Sequence, residues 1–167
     1  MRAMTETDLS AAFAGESQAH MRYLAFAQAA EERGRPEVAK LFRVIAFAEQ
    51  VHATNHLKAL DKLKSDRENL QAAVEGETYE VEEMYPAFLA VAKLQHEAGA
   101  EESMGWALET EKVHIGLYEQ ALQAVSAGRD RAPGKLYVCE VCGYTGEGDA
   151  PDRCPVCGAA RNRIREF

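Results

Sequence analysis

The chain has 167 residues, 47% hydrophobic and 28% charged, with a formal charge of −8 from 27 acidic against 19 basic side chains. That is one domain of ordinary size, or one with a very small companion, in a globular rather than disordered chain. No strongly basic segment is available to neutralise phosphates, which argues against nucleic acid as the main partner. No run of about 18 apolar residues exists to cross a membrane, and residues 1–10 lack the apolar stretch of a signal peptide.

Residues 7–127 read as helix almost throughout, because strand-like alternation is absent and Ala, Glu, Leu, Gln and Lys dominate. Four helices are predicted. Helix A covers roughly 7–33, with a stripe of Leu9, Phe13, Glu16, Tyr23 and Ala27, and Gly34-Arg35-Pro36 ends it and starts the next. Helix B carries Val38, Leu41, Ile45, Glu49, His52, His56, Leu60 and Leu63. Ser65-Asp66-Arg67-Glu68 is a capping-box pattern that starts helix C, which carries Leu70, Val74, Glu77, Val81, Met84, Phe88 and Val91. A turn within 94–102, near Gly99, leads to helix D with Met104, Leu108, Glu111, Ile115, Tyr118, Leu122 and Val125. Residues 128–135 are polar with Gly and Pro and read as a linker. Residues 136–167 are too few to fold on hydrophobic burial alone and need a staple.

Each helix places glutamate inside its own apolar stripe: Glu16, Glu49 with His52, Glu77 with Glu80, and Glu111 with His114. Residues three apart lie on one face of a helix, so Glu49-x-x-His52 and Glu111-x-x-His114 each point two ligands inward. Five carboxylates in one interior repel one another and are costly to desolvate. A pair of cations removes that cost, and oxygen-rich ligation with one imidazole per metal suits iron or manganese. Glu16 to Glu49 and Glu77 to Glu111 are nearly equal intervals, and the words around them repeat, which reads as a duplicated helix pair. The repeat breaks where Ala19 stands three residues after Glu16 but Glu80 three after Glu77, so the second half brings an additional carboxylate. Tyr23 and Tyr85 are placed to donate hydrogen bonds to the ligand carboxylates, or to serve as core aromatics. His20 and His56 read as ordinary partly buried histidines and His96 as an exposed one.

All four cysteines lie in two Cys-x-x-Cys-Gly words, at Cys139, Cys142, Cys154 and Cys157. A disulfide-stapled secreted protein more often spreads its cysteines across the fold, so a reducing compartment, the cytoplasm, is expected. Four thiolates from two such knuckles make a tetrahedral site for one iron or one zinc, and spacing does not choose between them. A redox-capable di-metal bundle on the same chain favours iron.

With these motifs assembled, the sequence resembles the rubrerythrin family: a ferritin-like, all-α four-helix bundle over 1–127, a linker over 128–135, and a rubredoxin-like four-cysteine unit over 136–167. The resemblance rests on Ala14-Gly15-Glu16-Ser17, Ala48-Glu49-Gln50-Val51-His52, Gly76-Glu77-Thr78-Tyr79-Glu80 with Met84-Tyr85-Pro86, Glu111-Lys112-Val113-His114 and the two knuckles. It implies two irons bridged by Glu49 and Glu111, one completed by Glu16 with Glu80 or His52, the other by Glu77 with His114. It also implies a cytoplasmic peroxidase reducing hydrogen peroxide to water. Electrons would come from rubredoxin or from NAD(P)H through a separate reductase, and enter at the four-cysteine iron. Iron oxidation and storage, as in other ferritin-like bundles, is the alternative, and it needs no electron port.

The duplicated ligand set implies a two-fold, with helices B and C running the same way. Helix B is predicted to run about 14 residues past Glu49 and helix C to start about 10 before Glu77, a return of roughly 36 Å at 1.5 Å per residue. Two or three residues reach only about 10 Å. A domain-swapped homodimer is therefore expected, helices A and B of one chain completing a bundle with C and D of another. By the same reckoning the four-cysteine site is expected far along the axis from its own chain's bundle ligands.

Overall fold

The computed structural model describes residues 1–132 and 134–167, which fall into two compact units, 1–64 and 65–167. The first is a helical hairpin of α1 (Ala3–Glu32) and α2 (Pro36–Ala59). Gly34 makes the left-handed turn with φ +69° that ends α1, and Pro36 opens α2. The two helices meet along alanines: Ala19, Ala27 and Ala30 on α1, and Ala39, Ala46 and Ala53 on α2, are all buried. The seven-residue spacing on α2 keeps those methyls in one stripe, and their small size lets the backbones approach closely. His20 is half-buried, with Nδ1 2.8 Å from the Ala46 carbonyl oxygen.

The larger apolar residues of the predicted stripes behave otherwise. Val38, Leu41, Ile45 and Leu63, read as core, are exposed in the single chain, as are Phe26, Val44, Phe47 and Val51. Alanine occupies the seam they were expected to fill, and a helix pair has only one seam. Helix α2 also ends earlier than predicted, at Ala59. The N–H of Lys62 bonds to the Leu57 carbonyl around Asp61, which takes the left-handed conformation at φ 55°, so Leu60 and Leu63 lie beyond the helix.

In the second unit, Ser65 caps α3 (Asp66–Tyr79): its hydroxyl accepts from Glu68 N–H and its own N–H donates to the Glu68 carboxylate, the capping box the sequence announces. A π-helical turn (Glu80–Met84) then carries the rod into α4 (Tyr85–Gln95). Pro86 has no N–H to return to the preceding turn, and its ring crowds the carbonyl four residues back. The ladder widens just ahead of it, where Tyr85 N–H bonds to Glu80 C=O, five residues earlier. The turn to α5 (Ala98–Ser126) falls within the expected 94–102, at His96 with φ 58°, three residues before Gly99, which lies inside α5. Phe88 and Val91 are exposed, as on the first hairpin.

The chain then forms a three-stranded antiparallel sheet, ordered β2 (Thr145–Glu147), β1 (Leu136–Cys139), β3 (Ile164–Glu166). Its buried core is Tyr137, Cys139, Cys154 and Ile164. Gly146 is required beneath the Tyr137 ring, where a Cβ would lie 2.3 Å from the phenol. Pro133, within the predicted linker, lies outside the described residues.

Candidate metal centres

The α1–α2 hairpin brings Glu16, Glu49 and His52 together, and α3 with α5 brings together Glu77, Glu111 and His114. In each set one ligand atom per residue lies within 4.8 Å of the others. A first-row metal with bonds of about 2.1 Å holds neighbouring ligand atoms about 3 Å apart and opposite ones about 4.2 Å apart, so both sets fit one such ion. Two carboxylates and one imidazole are the donors expected for iron or manganese.

The two sets differ in how firmly the imidazole is held. His52 Nδ1 lies 2.9 Å from Glu49 Oε2, and its side chain is 55% exposed. His114 is 27% exposed, with Nδ1 2.7 Å from Glu111 Oε2 and 3.6 Å from Glu77 Oε1. Its Nε2 lies 2.9 Å from the hydroxyl of Thr145, at the start of β2. The cysteine unit therefore abuts its own chain's ligand helix, against the expectation that it lies far along the axis. The chain after α5 does not continue outward along the helix axis but folds back onto α5.

Burial, then the Glu111 carboxylate, raises the Glu77 carboxyl above its ordinary value, while His114 opposes the rise. Glu80 is raised by burial and then by Glu77. It stands outside the three-residue set, at the first position of the π turn. Burial raises the Tyr85 phenol, followed by Glu80, Glu111 and Glu77, so this ring sits within the field of three carboxylates. Tyr23, the other predicted neighbour, packs its ring 6.1 Å from Phe42 and 6.3 Å from Phe26. Sequence reasoning missed the π turn and the Thr145 contact. Pro86 inside a helical pattern was a signal for the first; a lone threonine gives none for the second.

The four cysteines converge as free thiols. Cys139 and Cys157 sulfurs are 3.6 Å apart, and Cys142 and Cys154 sulfurs 3.5 Å. A tetrahedron with metal–sulfur bonds of about 2.3 Å needs sulfurs about 3.8 Å apart, so the cluster fits one metal ion. The two knuckles repeat in detail. Gly143 N–H bonds to Cys139 C=O and Gly158 N–H to Cys154 C=O, both at 2.9 Å, with each glycine left-handed at φ +81° and +74°. Burial pushes the Cys154 thiol up, but N–H groups of Cys157 and Val156 and the neighbouring thiols prevail and bring it down to about 7. These donor sets fit a di-iron carboxylate site and a rubredoxin-like four-cysteine iron site.

The family model described as rubrerythrin matches residues 8–122, and the model for the rubrerythrin rubredoxin-like domain matches residues 137–164. The chain is 37% identical to rubrerythrin-2 of Clostridium acetobutylicum, over 99% of this chain and 97% of that protein. It is 33% identical to nigerythrin of Nitratidesulfovibrio vulgaris, over 92% and 81%. Among solved structures, the mixed-valence state of nigerythrin matches with a TM-score of 0.57 and 31% identity, covering 98% of this chain and 86% of that one. By two donor sets of matched composition, a four-cysteine cluster and both family models, the chain belongs to the rubrerythrin family, in general peroxide-reducing di-iron proteins.

Proposed function

We propose that this chain is a peroxidase that reduces hydrogen peroxide to water, fed with electrons through its four-cysteine site. The observation that carries the reading is the coexistence on one chain of two carboxylate–imidazole sets and a four-thiolate cluster. Iron, when bound, supplies the electrons that reduce peroxide. Glu49 and Glu111 would be the carboxylates shared by the two ions, Glu77 and His114 would hold one, and Glu16 with His52 or Glu80 would hold the other. The half-exposed His52, which among the described residues contacts only Glu49, would be the more loosely held ligand, and Glu80 would be the carboxylate able to take its place. The anionic oxygen suits the harder, oxidised ion. Iron storage gives the thiolate cluster no such role.

Electrons come from rubredoxin or from an NAD(P)H-dependent reductase, in a reducing compartment such as the cytoplasm. Four free cysteines at metal-binding distance support that setting.

The working unit is a domain-swapped homodimer, in which three ligands from 1–64 of one chain meet three from 65–167 of another. Ten residues separate Glu49 from the end of α2 and eleven separate the start of α3 from Glu77, a return of about 31 Å at 1.5 Å per residue. The connection is residues 60–65, whose first members are spent in the turn around Asp61. The remainder reaches about 14 Å.

The test is anaerobic reduction of the iron-loaded protein followed by stoichiometric peroxide. Both iron centres reoxidise together if the reading holds. A four-cysteine centre that stays reduced while peroxide persists refutes it.

A further inference from the structure

We infer that Thr145 is a positioning residue of the di-metal centre, which fixes the ring of His114 from the cysteine unit through its hydroxyl. The inference rests on the metal-site reading above and adds a residue to it.

A threonine hydroxyl has one proton to donate and can accept in addition. Thr145 Oγ1 donates to the carbonyl oxygen of Gly143, 3.1 Å away, within the first cysteine knuckle. Its proton being spent there, the 2.9 Å contact with His114 Nε2 is made by the ring N–H donating to the hydroxyl. The neutral ring then carries its lone pair on Nδ1, the atom that lies 2.7 Å from Glu111 and 3.6 Å from Glu77 carboxylate oxygens. Acceptors facing one another at that distance repel unless a cation lies among them. Thr145 therefore selects the tautomer and the ring orientation that a metal requires. A metal-bound histidine commonly donates its other N–H to a fixed acceptor. His52 shows the contrast: among the described residues it has only the Glu49 contact and no acceptor of this kind. Valine at 145 keeps the shape and removes the hydroxyl; serine keeps the hydroxyl.

The experiment uses the full chain with its four-cysteine site filled, and follows cobalt(II) uptake at the carboxylate–imidazole site. Thr145→Val is expected to weaken cobalt binding about tenfold or more, and Thr145→Ser to restore it. The visible spectrum of iron at the four cysteines stays unchanged in both variants and reports that the small unit is folded. Nitrogen-15 NMR of the chain with zinc at the four cysteines alone, the carboxylate–imidazole site left without metal, reads the tautomer directly: His114 is protonated at Nε2 in the parent and loses that single form in Thr145→Val. Parent-like affinity together with a parent-like His114 signal in Thr145→Val overturns the inference. A parent protein that takes up no cobalt outside the cysteines overturns the metal-site reading itself, and the parent titration alone tells the two failures apart.

Discussion

Glu80 lies one turn beyond Glu77, at the first position of the π turn, and the Glu77 carboxylate, after burial, holds the Glu80 carboxyl above the usual range. Two carboxylates this close on one helix are tolerated at a site made for cations. A π turn makes a helix wider and poorer in hydrogen-bond geometry, and such turns gather at functional sites. Glu80→Ala is expected to keep both kinds of bound metal and to slow peroxide reduction about tenfold or more, on the scale of other changes beside metal ligands. Stopped-flow peroxide reduction with metal analysis checks this, and an unchanged rate at full metal content removes Glu80 from the mechanism.

The metal-free protein should respond to pH in a particular direction. Burial first, and neighbouring carboxylates after it, raise the Glu77 and Glu80 carboxyls in the folded chain, so between the ordinary carboxyl range and the raised values the folded chain binds more protons than the unfolded one. Stability then falls as pH rises through that window. Urea unfolding of metal-free protein should accordingly show a gain in stability, from these two groups, as pH drops from neutral towards the ordinary carboxyl range. Glu77→Gln with Glu80→Gln should flatten that gain. Loading the site with metal reverses the preference, since metal binding requires the ionised carboxylates.

The small unit should depend on its metal far more than the helices do. Its buried core is two aromatic or aliphatic side chains and two of the cysteines themselves, too little for a sheet of three short strands to stand alone. Chelation, or Cys139→Ser, is expected to unfold residues 136–167 while helical circular dichroism persists. Loss of tertiary signal from Tyr137 and Tyr144, whose rings are 6.3 Å apart, tracks the event. A small unit that keeps its amide protection after complete metal removal contradicts the staple.

The clustering of the candidate ligands into two carboxylate–imidazole sets was legible in the sequence because chemistry and period agreed: a glutamate in an apolar stripe is anomalous, and two Glu-x-x-His words at matched intervals leave little freedom. The cysteine knuckles were legible for the same reason, down to the glycines that turn left-handed after Cys142 and Cys157. The core was not. Leu41, Ile45, Phe88 and Val91 carry the helical period as well as any buried residue, yet they are exposed in the single chain, and alanines take the seams. Periodicity marks which faces must be covered, not what covers them. The placement of the cysteine unit was equally illegible, since it turns on a return after α5 that the sequence expresses only as a polar linker. The end of α2 slipped where a non-glycine residue, Asp61, took the left-handed position.

The domain-swapped dimer makes the last prediction, and its test is a change in chain length. Exposed Phe26, Leu41, Val44, Phe47, Phe88 and Val91 on two hairpins of one chain are more apolar surface than a monomer usually leaves uncovered. Burying a side chain of that size contributes about 1.5–3 kcal/mol, so the faces must find each other or a second copy. The six residues 60–65 are too few to let one chain's halves close on each other with their ligands level. Sedimentation of the native protein should therefore give twice the 18.4 kDa chain mass, with full metal content. Inserting about twelve glycine and serine residues after Lys62 supplies the missing reach, and should convert the dimer to a monomer that still binds two ions at the carboxylate–imidazole site. A native monomer with both ions bound would show that the short connection suffices after all. A lengthened chain that stays dimeric would show that the apolar faces, rather than the connection, dictate the exchange.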